Sequence, residues 1–69
     1  MREVVLDESV SVSDLAGALE ASAATVVGIA FRNLGLMTTI HERLTFEEAR
    51  AIAAELGFVA RRRGGQAEG

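Results

Sequence analysis

A chain of 69 residues without cysteine has room for one domain, and neither a disulfide framework nor a thiolate zinc site can support it. Its 49% hydrophobic residues must therefore supply the stability, and the single histidine excludes a histidine-rich metal site. The net charge of −3 divides into −5 for residues 1–60 (four Arg, nine acids) and +2 for residues 61–69 (three Arg, one acid), and an acidic body speaks against broad electrostatic binding of nucleic acid.

The apolar residues are mostly Ala, Val and Leu, with three Phe and no Trp or Tyr, so a tight core of small side chains is expected. All seven basic residues are Arg, which carries no functional message. No apolar run approaches the ~20 residues that span a bilayer. The first residues, Met1 to Asp7, lack the long apolar segment of a signal peptide. A cytoplasmic setting, no membrane contact and no small-molecule substrate are expected.

The pattern predicts an α+β fold, with three short helices and a small sheet of two or three strands. Glu3–Leu6 is β-rich and reads as the first strand, followed by a turn at Asp7-Glu8-Ser9. Ser11-Val12-Ser13-Asp14 resembles a capping box and opens a helix over about 12–20, with Val12, Leu15, Ala16 and Leu19 as its buried stripe. Gly17 either weakens this helix by ~1 kcal/mol relative to Ala or admits a close neighbour.

Ser22 can cap a second helix over about 23–34. From Ala23 to Phe31 it has no charge. Val27, Phe31 and Leu34 form one stripe, with Val26 and Ile29 off it. A helix apolar nearly all round is either central or covers a partner. Central packing is expected for this helix, and Val26 and Ile29 are the candidate protein contacts if it covers a partner.

Gly35 can close this helix in the left-handed conformation, with Leu36 folding back on the last turn. Met37-Thr38-Thr39-Ile40 reads as a short strand over 37–40. Then Leu44-Thr45-Phe46-Glu47-Glu48 signals a third helix over about 46–56. Thr45 and Glu48 are placed for a capping box, and Leu44 for a staple on Ala49. Phe46, Ala49, Ile52, Ala53 and Leu56 form its stripe, and Glu47 and Arg50 its exposed pair. Gly57 is a second stop. A strand over 58–60 can pair beside Val4–Leu6. Residues 61–69 read as a flexible basic tail or linker, which leaves 1–60 as the folded module.

The motif order Val-Ser-Val-Ser-Asp-Leu-Ala, apolar helix, Leu34-Gly35-Leu36-Met37-Thr38-Thr39-Ile40, then Leu-Thr-Phe-Glu-Glu-Ala and Ala-Glu-Leu-Gly-Phe resembles one small module. It is similar to the N-terminal-region module of bacterial translation initiation factor 2, over about Arg2 to Ala60. The resemblance implies a compact α+β fold of three helices and a small sheet. It implies a non-catalytic binding module, without a cofactor, that docks to ribosome, RNA or the initiation machinery. A phosphate loop of the Gly-x-x-x-x-Gly-Lys type is absent, and a chain with no Lys cannot form one. Members of the resembled family often carry a basic pair in the second helix, where this chain has Ile29-Ala30. They often have Pro-Glu in the first turn and Asn-Gln after the second strand, where this chain has Asp7-Glu8 and His41-Glu42. These departures shift weight from RNA toward an apolar protein contact. The alternative is a protein–protein adaptor of the same fold, used in another cytoplasmic system through the apolar second helix.

Arg61, Arg62 and Arg63 are the leading candidates for weak, salt-sensitive RNA contact from a flexible segment. Arg32 and Arg43 flank the Gly35 turn and could extend a basic edge. His41 stands in an exposed connection with no Ser or second His beside it, so a turn residue is expected. Glu47 and Glu48 invite a paired-carboxylate reading, but capping explains them. Met37 and Phe58 read as core. No nucleophile, base and orienting group can be assembled, so no catalytic, cofactor or metal residues are expected.

Overall fold

The computed structural model describes residues 2–64. The elements in order are β1 (Arg2–Leu6), β2 (Ser9–Ser11), α1 (Val12–Ala18), α2 (Ala23–Leu34), β3 (Arg43–Thr45), α3 (Phe46–Glu55) and β4 (Phe58–Arg62). The class is α+β as expected. The sheet is two separate pairs: β1 with β4, parallel, and β2 with β3, antiparallel. The expected pairing of the last strand beside Val4–Leu6 is present, with Val4 opposite Ala60.

All three helices start where their caps are written. Ser11 Oγ accepts the Asp14 N–H, Ser22 Oγ accepts the Thr25 N–H, and Thr45 and Glu48 form the reciprocal capping box. α1 ends two residues earlier than expected. The Ala21 N–H bonds to the Ala16 carbonyl and the Glu20 N–H to the Gly17 carbonyl, which closes the turn with Glu20 at φ 57°. A glutamate therefore occupies a left-handed position that favours glycine. α2 closes on Gly35 at φ 69°, whose N–H bonds to the Phe31 carbonyl.

Two strands lie where none was read. Ser9-Val10-Ser11 and Arg43-Leu44-Thr45 pair with Val10 opposite Leu44, the one buried residue of each strand. A single apolar residue between polar ones is too little alternation to mark a strand. The strand expected over 37–40 is absent. Its residues are β-prone but meet no partner strand. The segment serves α1 instead: Ile40 and Glu42 present carbonyls to the Ser13 and Val12 N–H groups at 3.0 Å. These are first-turn donors that no intrahelical carbonyl can reach.

The core contains the expected stripe of α1 (Val12, Leu15, Ala16, Leu19) and that of α3 (Phe46, Ala49, Ile52, Ala53) except Leu56, which is half-buried against it, together with Val4, Leu6, Val10, Leu44 and Phe58. On α2 the expectation is reversed. Val26, Ile29 and Ala30 are buried, whereas Phe31 is 57% exposed and Leu34 36%. α2 turns through 108° from α1 and packs on both α1 and α3. The face it turns inward is the one with small side chains, which suits close approach in a core this size.

β4 runs to Arg62, two residues into the stretch read as a tail. Arg63 still donates its backbone N–H to the Leu6 carbonyl at 2.9 Å. Residues 65–69 of that expected tail lie outside the described residues.

Candidate functional site

The arginines read as RNA contacts are held by the fold. On β4, Arg61 pairs with Glu3 at 3.3 Å and Arg62 with Glu8 and with Glu47, and just past the strand Arg63 pairs with Asp7 at 2.6 Å. The Arg62 guanidinium also stands over the Phe46 ring, 4.3 Å from its centroid. The three cations face Glu3, Asp7, Glu8 and Glu47, and Glu47 is shared with Arg50, so four positive charges stand against four negative. This edge is not a positive patch.

Arg43 donates from Nε to Ser9 Oγ at 2.7 Å and from Nη2 to the Ser9 carbonyl at 2.8 Å, which ties β3 to β2. Arg32, on the last turn of α2, has no ion pair among the described residues and lies back over Gly28. Arg43 and Arg63 line one groove together with Asp7 and Asp14, so two of the candidate arginines are brought together beside two acids, and Arg32 is not among the residues that line it.

Arg2 and Glu20 form a further exposed pair at 2.9 Å. The hydrogen bond and charge of Arg2 hold the Glu20 carboxyl below its usual range, and Glu20 in turn raises Arg2. The Arg2 guanidinium lies 4.8 Å from the Phe58 ring centroid. Glu47 pairs with Arg50 at 2.7 Å, and Glu48 receives the Thr45 N–H. His41 is exposed in the turn before β3. Among the described residues, no group of three or more His, Asp or Glu is placed to hold a metal ion, and no single helix is long and apolar enough to cross a membrane.

The candidate protein contacts change places with the expected core. Val26 and Ile29 are 0% and 2% exposed, so they cannot meet a partner in the folded domain. Met37, expected inside, is 84% exposed. It stands with Val27, Phe31 and Leu36 around a groove of about 420 Å³, completed by Thr38 and Thr39. Ile40 and Leu34 add partly exposed apolar surface in the same stretch of chain. Apolar side chains exposed together in one groove make a candidate contact surface.

Sequence reasoning missed this surface because α2 offers two apolar stripes and one charge. At ~100° per residue, Arg32 lies roughly 120° from the middle of either stripe, so it cannot choose between them. Size was the one available signal: a helix between two others should turn its smaller residues inward.

Three helices on two short sheets, with caps written in Ser and Thr and an open apolar face beside α2, define a small α+β module. Residues 7–58, most of the chain, match the family described as "Translation initiation factor IF-2, N-terminal region". The chain belongs to that family. The match runs from the turn after β1 to the first residue of β4, and so contains the whole groove but little of the β1–β4 pair.

Proposed function

We propose that this chain is a non-catalytic binding module of cytoplasmic, bacterial-type translation initiation. It docks on a protein component of the ribosome or of the factors bound there, through the groove between α2 and Leu36–Thr39. Membership in the initiation-factor family supports the setting. The observation that carries the choice of surface is the exposure of Phe31 and Met37, 57% and 84%, in one groove. RNA contact through Arg61–Arg63 has less support, because each of those side chains already faces an acid of the same domain.

Cosedimentation with ribosomal subunits at physiological salt tests the reading. The chain is retained above a scrambled control. Phe31→Ser with Met37→Ser abolishes retention, and Arg61→Gln with Arg63→Gln does not. Retention that survives the apolar pair but falls steeply with salt would transfer the function to the arginines and RNA. No retention of the parent chain would remove the initiation machinery as its partner.

A further inference from the structure

The groove beside α2 continues past Thr38. Leu36, Met37 and Thr38 line it and also line a second groove of about 230 Å³, whose other walls include Glu42, Leu44 and Glu48. The two grooves adjoin through these three residues, the first apolar at Phe31 and Met37, the second carrying Glu42, Glu48 and Arg43, a net formal charge of −1. Neither acid has an ion pair among the described residues. Glu48 uses one carboxylate oxygen on the Thr45 N–H. Arg43, the cation of this wall, is directed to Ser9 by two hydrogen bonds.

We infer that this surface seats a short amphipathic helical segment of a partner protein, with apolar side chains on Phe31 and Met37 and a basic side chain over Glu42 and Glu48. The inference rests on the reading of the groove as a docking face and adds the chemistry of what docks. Charge selects the occupant. A second copy would bring another chain of net charge −3, with the same two acids, against the first. Nucleic acid would place phosphates against Glu42 and Glu48. A helix instead presents anchors at i, i+3 or i+4 and i+7, which span about 10 Å, with charged residues beside them. Methionine suits such a surface because its unbranched side chain adapts to the anchor it meets.

The test is an NMR titration of the isotope-labelled 69-residue chain with synthetic peptides. One carries Leu at i, i+3, i+4 and i+7 with Lys elsewhere. The second replaces every Lys by Glu, and the third scrambles the Leu/Lys order. The Leu/Lys helix shifts the amides of Val27, Phe31, Met37 and Glu42. The Leu/Glu peptide binds at least about tenfold more weakly, and Glu42→Gln weakens the Leu/Lys peptide about threefold. Equal binding of the Lys and Glu peptides, or equal binding of the scrambled one, overturns the inference. So does a dimer in sedimentation that Met37→Ser dissolves, because the occupant is then a second copy. If the apolar double variant loses ribosomal retention while the Leu/Lys helix gives no localised shifts, the docking face stands and the basic segment falls. If that variant is retained like the parent, the docking face itself falls.

Discussion

The Arg62 guanidinium lies 4.3 Å from the centroid of the Phe46 ring and joins the last residue of β4 to the first residue of α3. Glu8 and Glu47 hold the same guanidinium from the acidic turn and from the helix. Phe46 itself is 4% exposed, so the cation covers the rim of the core. A segment that reads as tail is thereby a clasp between β4, the acidic turn after β1 and the start of α3.

Arg62→Ala is expected to lower stability by about 1–2 kcal/mol, the sum of an exposed cation–π contact and partly screened ion pairs. Urea unfolding measures it. In ~1 M salt the ion-pair part fades, because the Debye length falls to about 3 Å, while the contact with Phe46 persists. A midpoint indistinguishable from the parent at low salt would mean that Arg62 is solvated tail.

The reversed faces of α2 separate by substitution. Ile29→Asp buries an unpaired charge and is expected to cost about 4 kcal/mol or more, enough to unfold a domain of this size. Phe31→Ser and Met37→Ser are expected to change stability by less than about 1 kcal/mol. Thermal melting followed by circular dichroism gives both values. If Phe31→Ser unfolds the chain and Ile29→Asp does not, the helix packs by the other stripe.

Gly17 lies inside α1, and a Cβ added there would meet nothing within 4 Å. The close neighbour that could justify a glycine is absent. Gly17→Ala is therefore expected to stabilise by about 0.5–1 kcal/mol, through helix propensity and a less flexible unfolded chain. Glu20→Gly acts at the other end of the same turn, where it relieves the left-handed glutamate. Gly17→Ala should raise the melting temperature, and a fall would reveal a contact across that face, whereas Glu20→Gly also removes the pair with Arg2, so its relief of the backbone is offset.

The pair of Arg2 and Glu20 predicts a specific acid response. Arg2 lowers the folded-state pKa of Glu20, so the unfolded chain binds the proton more readily. The stabilisation is complete above the unfolded carboxylate value of about 4.3 and disappears as pH falls through the lower folded value. Arg2→Gln should flatten this part of the acid limb when urea midpoints are followed from about pH 6 to pH 3. An unchanged limb would show that the pair does not persist in solution.

Much of the fold is legible because its signals are local. Ser11, Ser22 and Thr45 each name a helix start through a hydrogen bond three residues long, and Gly35 names a helix end through its backbone freedom. The stripes of α1 and α3 could be phased because polar residues, Ser13 and Asp14 on α1 and Glu47 and Arg50 on α3, stand opposite a single apolar stripe and mark the outer face. α2 lacked that mark, and with it went the identity of the contact surface. The 37–40 segment departs from its strand propensity for a related reason. Thr38-Thr39-Ile40 has strand propensity, but a strand exists only where a partner completes the ladder.

The sequence by itself determined the family, the α+β class, the helix starts and the absence of a phosphate loop, since each is carried by residues close together in the chain. Only the tertiary structure decided which side of α2 faces out and what the arginines of β4 hold. Those outcomes depend on contacts between distant segments, Arg62 with Glu8 and α2 with α3, where packing volume and charge pairing compete and no short window of sequence contains both partners.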